Sequence, residues 1–269
     1  MFTPTAIFAN QPLPTPAAVE MPKNGLLWWY DFNDTNSYPG TGTTVDNLST
    51  DPNTGADQLN LTGGTYTSEG TYHYYNFANN SEYAGASQTY TGSVGGSTDL
   101  TIVQVGRLGS AEQYFSSFLF GQAGFEAGFS GWTAGATSPN GRIAWDLWGD
   151  GPTFGANSIT WTTSANQMSF SIFRKVSGNM TTGNVTISFP DGAGGLDHYT
   201  GGGLDTLASS GTETPGLTAV DIGLNGYNTS GGGGANFKSV VFAVYDREIT
   251  DAECQQIYDY YDAKGITLV

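Results

Sequence analysis

Short runs of β-branched and aromatic residues alternate along this chain with spacers rich in Gly, Ser, Thr and Asn. Such runs, bounded by turn residues at close intervals, are typical of an all-β sandwich. The pattern predicts strands at Leu26–Phe32, Leu59–Leu61, Tyr72–Phe77, Leu100–Val105, Ser117–Phe120, Gly124–Phe129, Arg142–Trp148, Ser158–Trp161, Gln167–Lys175, Asn184–Phe189, Val220–Leu224 and Ser239–Tyr245.

The last of these runs, Ser239–Tyr245, is almost continuously apolar, which predicts a strand buried on both faces. Thr250 with Glu253 three residues later has the spacing of a capping box, so a helix is predicted to begin there. Gly265 is suited to the left-handed conformation that ends a helix. The predicted inward stripe of this helix consists of Cys254, Ile257, Tyr258 and Tyr261.

Both ends of the chain carry a family resemblance. Tyr-Asp-Arg at 245–247, followed by Thr-Asp-Ala-Glu at 250–253 and a helix, resembles the C-terminal signature of the concanavalin A-like lectin/glucanase superfamily in its laminin G-like branch, which also occurs in phage and virus structural proteins. Gly25–Phe32 resembles the first core strand of that branch, and Val45–Ser49 stands where the family has an Asp-x-Ser turn. The resemblance implies a two-sheet antiparallel jelly-roll sandwich with one short C-terminal helix.

Residues 1–24 differ from the rest of the chain because they hold five of its 11 prolines. Proline disfavours helix and favours an extended, polyproline-like conformation. We therefore expect an extended N-terminal arm over residues 1–24 and the sandwich over residues 25–269. The apolar residues of the arm are the expected anchors on a neighbouring subunit: Phe2, Ile7, Phe8 and Leu13.

The charge of the chain narrows the choice of partner. The formal net charge is -16, although only 12% of residues are charged. Such a surface repels nucleic acid phosphates and anionic membranes, so neither is an expected partner. No stretch of 18 apolar residues and no signal-peptide pattern is present, so we expect no membrane insertion and no ordinary secretory export. The single cysteine, Cys254, is expected to act as a small buried apolar residue.

Catalytic carboxylates are not evident. Glucanases of the resembled superfamily use a Glu-x-Asp-x-x-Glu strand pattern, which this sequence lacks. The nearest pair is Asp146 and Asp150, which a regular strand would hold ~13 Å apart at ~3.3 Å per residue. Glycosidase pairs lie ~5 to 9.5 Å apart, so we expect no enzyme.

Calcium is the metal that the sequence suggests, with a first candidate site after the first strand and a second at Asp191, Asp197 and Asp205 around the Gly-rich loops. Asp31, Asn33 and Asp34 offer three oxygen-bearing side chains after the first strand, and the resembled superfamily often binds Ca²⁺ through loop oxygens. The alternative is an ordinary turn at the end of the strand. No other cofactor is expected.

Two clusters have the composition of a sugar site. A pyranose has one apolar face and a rim of hydroxyls, so its sites combine an aromatic side chain with hydrogen-bonding groups. Trp132 near Asn140 is one such cluster, and Tyr227 with Asn228 is the other. The alternative for Trp132 is a large half-buried residue without a ligand.

These observations predict a non-enzymatic structural protein of a virion: a phage capsid decoration, head fibre or tail-surface component. Its arm would dock on other virion proteins, as a capsid or tail subunit or in a homo-oligomer, and its sandwich would be displayed on the virion surface. The alternative is a carbohydrate-binding lectin module, extracellular or on a cell surface, that recognises a host-surface glycan.

Overall fold

A computed structural model describes residues 18–51, 58–79, 81–94, 99–108, 116–122, 128–134, 142–148, 153–155, 162, 164–176, 183–200, 205–208, 217–225 and 236–269. Over these residues the chain is mostly β, with two antiparallel sheets and one short helix, α1, at Asp251–Asp262. In the same ranges no helix is long and apolar enough to cross a bilayer.

The first sheet, sheet A, has eight described strands in the order β14-β13-β12-β7-β17-β5-β4, and β1 pairs with β17 beside β5. Its strands are β1 (Leu26–Asp31), β4 (Thr65–Glu69), β5 (Tyr72–Phe77), β7 (Leu100–Leu108), β12 (Ser169–Lys175), β13 (Val185–Pro190), β14 (Leu196–Thr200) and β17 (Phe237–Tyr245).

The second sheet, sheet B, has nine described strands in the order β15-β11-β10-β9-β8-β16-β6-β3-β2. Its strands are β2 (Thr44–Asp46), β3 (Gln58–Thr62), β6 (Tyr83–Val94), β8 (Ser116–Gln122), β9 (Gly128–Ala134), β10 (Arg142–Trp148), β11 (Thr153–Gly155), β15 (Asp205–Ala208) and β16 (Leu217–Leu224).

Strand β17 lies at the centre of sheet A. One of its edges pairs with β7 along most of its length. Its other edge pairs with two strands in succession: Phe237–Ser239 pairs with β5, and Val241–Tyr245 pairs with β1. The first and last strands of the fold are therefore hydrogen-bonded neighbours.

Sheet A is covered on both faces, which confirms the prediction for Ser239–Tyr245. One apolar cluster joins sheet A to sheet B and contains Trp28, Phe242 and Val244. A second cluster lies on the opposite face of sheet A, where Val241 and Tyr245 pack with residues of α1. Every residue of β7 and β12 is buried for the same reason.

Helix α1 begins and ends close to the predicted positions. Thr250 is the N-cap: its hydroxyl oxygen accepts from the Glu253 N–H at 3.2 Å, and a Glu253 carboxylate oxygen accepts from the Thr250 N–H at 2.9 Å. Arg247 holds the same carboxylate, and this hydrogen bonding lowers the pKa of Glu253 to about 2. Gly265 has φ of +80°, as predicted. The inward stripe is also confirmed: Cys254, Ile257, Tyr258 and Tyr261 are buried.

Several strands differ from the sequence prediction. The segment Gly124–Phe129 was expected to be a strand, whereas the described strand there, β9, spans Gly128–Ala134. The predicted strand Ser158–Trp161 lies outside the described residues. Strands β2, β4, β6, β11, β14 and β15 were not predicted. Of these, β6 is rich in small and polar residues and β14 is half-exposed at an edge of sheet A. Neither has the apolar run by which the other strands are recognised.

The described part of the predicted arm, residues 18–24, lies on the domain. Met21 and Pro22 are buried, and Met21 belongs to the cluster under α1. The Tyr245 hydroxyl donates to the Pro22 carbonyl at 3.0 Å, and the Gln256 amide donates to the Glu20 carbonyl at 2.6 Å. The predicted boundary at Gly25 therefore comes four residues after Met21, the first buried residue in the described part of the chain. Phe2, Ile7, Phe8 and Leu13 lie outside the described residues.

The capping box gives the first testable prediction. Thr250→Ala removes an N-cap acceptor, so the free energy of unfolding should fall by about 1 kcal/mol. Urea denaturation followed by circular dichroism measures the change. Ser68→Ala, at an exposed position of β4, is the control and should change the free energy of unfolding by less than about 0.5 kcal/mol. Equal losses in both variants would contradict a capping role for Thr250.

Candidate functional site

A cavity of about 460 Å³ opens beside the N-terminal half of β1. Three pieces of chain form its walls: the segment that leads into β1, the turn after β1, and the segment after β2. We call it the Trp29 pocket. Its lining consists of Lys23, Asn24, Gly25, Leu26, Trp29, Asp34, Asn36, Leu48, Ser49, Thr50 and Asp51.

The segment after β2 is held against β1 mainly by side chains. Asn47 accepts hydrogen bonds from the N–H groups of Trp29 and Ser49 and donates to the Leu27 carbonyl. The Ser49 hydroxyl donates to the Leu26 carbonyl and accepts from the Asp51 N–H. The segment thus caps the edge of β1 that does not face β17. The family-type turn was expected within Val45–Ser49, and Asn47 forms an Asx turn there.

The segment that leads into β1 is fixed by the corner before α1. The Arg247 guanidinium donates to the Asn24 carbonyl at 2.8 Å, and the Asp246 N–H donates to the Gly25 carbonyl at 2.9 Å. Gly25 has φ of +72°, and a Cβ there would lie 2.6 Å from an Asp246 carboxylate oxygen. Only glycine fits this position without strain.

The third wall is the turn after β1. The Asp34 carboxylate accepts from the N–H of Asn36 at 2.9 Å and from its side-chain amide at 3.0 Å, both through Oδ1. Asp34 is half-buried and Asn36 is exposed, so both can reach a ligand in the pocket.

The apolar part of the pocket comes from Trp29, Leu26 and Leu48. The Trp29 indole N–H donates to the Tyr261 hydroxyl at 2.9 Å, and its ring packs edge-on against Tyr260 at 6.0 Å between centroids. These contacts with α1 fix the orientation of the indole. The pocket therefore combines a rigid aromatic side chain with a rim of carboxylate, amide and hydroxyl groups.

A buried ion pair lies next to these aromatic residues. The Lys264 ammonium contacts the Asp31 carboxylate at 3.2 Å and lies 4.3 Å from the centre of the Tyr260 ring. Asp31 has no solvent exposure, and this burial raises its pKa against the opposing effect of Lys264. The pair joins the end of β1 to the chain just beyond α1.

The residues of the predicted calcium site have protein partners in the structure. Asp31 contacts Lys264, and its second oxygen accepts from the Asn33 N–H at 2.8 Å. The Asn33 side-chain oxygen accepts from the His73 N–H at 2.8 Å. These contacts match the alternative, a turn at the end of a strand, and the calcium site stays a prediction. Within the described ranges no three His, Cys, Asp or Glu residues are grouped as a metal site.

The predicted sugar-binding residues are only partly described. Trp132 was expected on a loop, whereas its backbone lies within β9, a strand whose side chains the structure does not describe. Asn140, Tyr227 and Asn228 lie outside the described residues. The Trp29 pocket was not predicted: Trp29 had been assigned to the first core strand, and the polar residues around it carry no recognisable spacing.

A second polar cluster lies between sheet A and the start of α1. The Ser188 hydroxyl lies 2.7 Å from His198 Nδ1, and Arg174 lies 3.2 Å from the same nitrogen. Asp251 lies 2.7 Å from Arg174 and 3.7 Å from His198 Nε2. These are the residue types of a hydrolase triad, but Ser188 has no solvent exposure and cannot reach a substrate. The cluster instead ties β13 and β14 to α1.

The bonding around His198 specifies its neutral form. Arginine can only donate, so Nδ1 must accept and the ring hydrogen belongs on Nε2. Burial lowers the pKa of His198 below 6.5 against the opposing charge of Asp251, and Arg174 adds to the lowering. Because the folded state disfavours the protonated ring, stability should be complete above pH 6.5 and should decrease as the pH falls below that value.

This gives a prediction for the pH dependence of stability. Between pH 7 and 5.5, the free energy of unfolding should decrease in the unmodified protein and change less in His198→Asn, whose amide oxygen can accept in place of Nδ1 without titrating. Urea titrations at each pH measure the slope. Ser68→Ala, at an exposed and non-titrating position of β4, is the control and should keep the slope of the unmodified protein. A slope unchanged in His198→Asn would contradict the assignment.

No family model and no curated protein sequence matches this chain. Solved structures do match. A Trypanosoma rangeli sialidase in complex with sialic acid gives a TM-score of 0.55 at 11% identity, covering 92% of this chain and 34% of the sialidase chain. The same enzyme with 2,3-difluorosialic acid, described as a covalent intermediate, gives a TM-score of 0.52 at 11% identity, covering 92% of this chain and 35% of that one.

A different protein gives a similar match. The receptor-binding domain of botulinum neurotoxin mosaic serotype C/D, with tetraethylene glycol and sulfate bound, has a TM-score of 0.51 at 10% identity. The match covers 87% of this chain and 50% of that domain. This chain thus spans a third to a half of the length of these structures. At such low identity the similarity shows a shared β-sandwich fold and nothing about activity.

Proposed function

We propose that this chain is a non-enzymatic, lectin-like β-sandwich that binds a glycan in the Trp29 pocket. The observation that carries the proposal is the composition of the pocket: an indole held in place by Tyr261 stands beside Asp34, Asn36 and Asp51. Such a mixture suits a pyranose, which has an apolar face and a rim of hydroxyls.

The strand connections support a concanavalin A-like jelly roll as the finer fold. From β1 in sheet A the chain passes to β2 and β3 in sheet B, returns to β4 and β5, and crosses again at β6 and at β7. Sandwiches whose chain repeatedly crosses between two antiparallel sheets in this way include the jelly rolls. The partial matches to a sialidase and to a toxin receptor-binding domain agree with a lectin-like sandwich.

The carboxylates of the pocket argue against hydrolysis. A glycosidase needs a general acid whose carboxyl group is buried enough to stay protonated. Asp34 and Asp51 are both half-exposed, and Asp34 is engaged by the Asn36 amide. The buried carboxylate nearby, Asp31, is paired with Lys264 and is not among the lining residues.

Glycan binding can be tested with substitutions at exposed rim positions. The unmodified protein should bind members of a glycan array, and Asn36→Ala combined with Thr50→Ala should weaken binding. Two neutral hydrogen bonds at about 1 kcal/mol each correspond to about a thirtyfold loss of affinity. Isothermal titration with the best array glycan measures the loss.

The control for this experiment is Asn60→Ala, an exposed position on β3 in sheet B. It should leave the affinity unchanged, and circular dichroism should show that all variants remain folded. Equal glycan affinity in the rim variant and the unmodified protein would contradict a glycan site in the Trp29 pocket.

A role as a virion structural accessory protein is the second candidate. One observation favours it: residues 18–20 are exposed, and they lead into a segment bound to β17 and α1 through Pro22 and Glu20. The Pro-rich residues 1–17 precede this bound segment in the chain. An extension of this kind is suited to docking on a neighbouring capsid or tail subunit, or on a second copy of the chain. The sandwich would then be displayed on the virion surface.

Truncation tests the docking role separately from glycan binding. Deletion of residues 2–17 should abolish association with particles and leave the domain folded, because Met21 and Pro22 are retained. Co-sedimentation with particles that lack the protein measures association, and thermal denaturation measures folding. The control is Phe2→Ser, a single substitution, which should weaken association less than the deletion does. Full association after the deletion would contradict docking by this segment.

A further inference from the structure

We infer that the Trp29 pocket selects uncharged, hydroxyl-rich glycans and discriminates against sialylated and other carboxylated ones. The inference rests on the proposed glycan-binding function and specifies its ligand class. It depends on the charges that line the pocket and on the partners of the cations around it.

The lining residues carry more negative than positive charge. Asp34 and Asp51 contribute carboxylates, and Lys23 is the lone cation among them. The Lys23 side chain is 71% exposed, and its nearest carboxylate, Glu20, is 3.9 Å away. A solvated ammonium of this kind gives little attraction to a carboxylated sugar.

The neighbouring cations are already engaged. Arg247 contacts Glu253 at 2.9 Å and the Asn24 carbonyl at 2.8 Å, so its charge is already paired with a carboxylate. Lys264 is held by the buried Asp31 and by the face of the Tyr260 ring. Proteins usually hold a planar carboxylate with a bidentate arginine, and no arginine is among the described residues that line this pocket.

The two carboxylates are well suited to sugar hydroxyls. Asp34 accepts the Asn36 hydrogen bonds through Oδ1, and within the described residues no hydrogen bond reaches its Oδ2. A hydroxyl donating to a carboxylate makes a shorter and stronger hydrogen bond than one donating to a neutral group. The same oxygens repel the carboxylate of a sialic acid, and the net charge of -16 adds to this repulsion at low salt.

Matched glycans test the inference. We would titrate the full chain with N-acetyllactosamine and with the same disaccharide carrying a terminal sialic acid, alongside an array that contains neutral and sialylated pairs. The neutral member should bind more tightly by about tenfold or more, and the ratio should decrease as salt is raised. Asp34→Asn combined with Asp51→Asn should reduce the ratio, since both carboxylate charges are removed while asparagine at position 34 can still accept the Asn36 hydrogen bonds.

The control removes the same number of charges elsewhere. Asp197→Asn with Asp259→Asn, both exposed and outside the pocket, should preserve the ratio. Equal or tighter binding of the sialylated members would overturn this inference while leaving glycan binding intact. Binding of no glycan on the array would overturn the proposed function and this inference with it.

Discussion

The burial of β17 on both of its faces is the constraint on which the rest of the structure depends. Sheet B covers one face of this strand and α1 covers the other, so its residues must be apolar almost without interruption. Near the end of this strand, buried polar groups find hydrogen-bond partners close by in the chain fold. Thr101 illustrates this: its hydroxyl donates to the Arg247 carbonyl at 2.8 Å and accepts from the Ile249 N–H at 3.1 Å. The corner between β17 and α1 is fixed in this way.

The Trp29 pocket follows from how β1 is paired. One edge of β1 bonds to β17, whereas the other is satisfied largely by the side chains of Asn47 and Ser49. Because side chains hold the segment after β2 to β1, its backbone does not have to follow β1 in the residue-by-residue register of a paired strand. Leu48–Asp51 can therefore stand beside β1 as a wall, and the space between wall and strand is the pocket.

The cations of this acidic chain stabilise the interior rather than the surface. The chain has 8 Lys and Arg residues against 24 Asp and Glu. Four of the cations have buried or half-buried side chains and contact carboxylates, three of which are also buried or half-buried. The net charge of -16 gives a field that disfavours anionic partners. The four pairs are Arg107–Glu69, Arg174–Asp251, Arg247–Glu253 and Lys264–Asp31.

The sequence by itself determined the elements that local chemistry specifies: the doubly buried strand Ser239–Tyr245, the capping box at Thr250 and the strand that begins at Leu26. Strands β6 and β14 escaped prediction because small and polar residues form strands only when neighbours pair with them. The pocket could not be predicted either. Trp29 and Tyr261 are 232 positions apart, and the walls of the pocket come from three separate segments. Only the pairing of β1 with β17 brings these parts together, because that pairing fixes the first strand against the last helix.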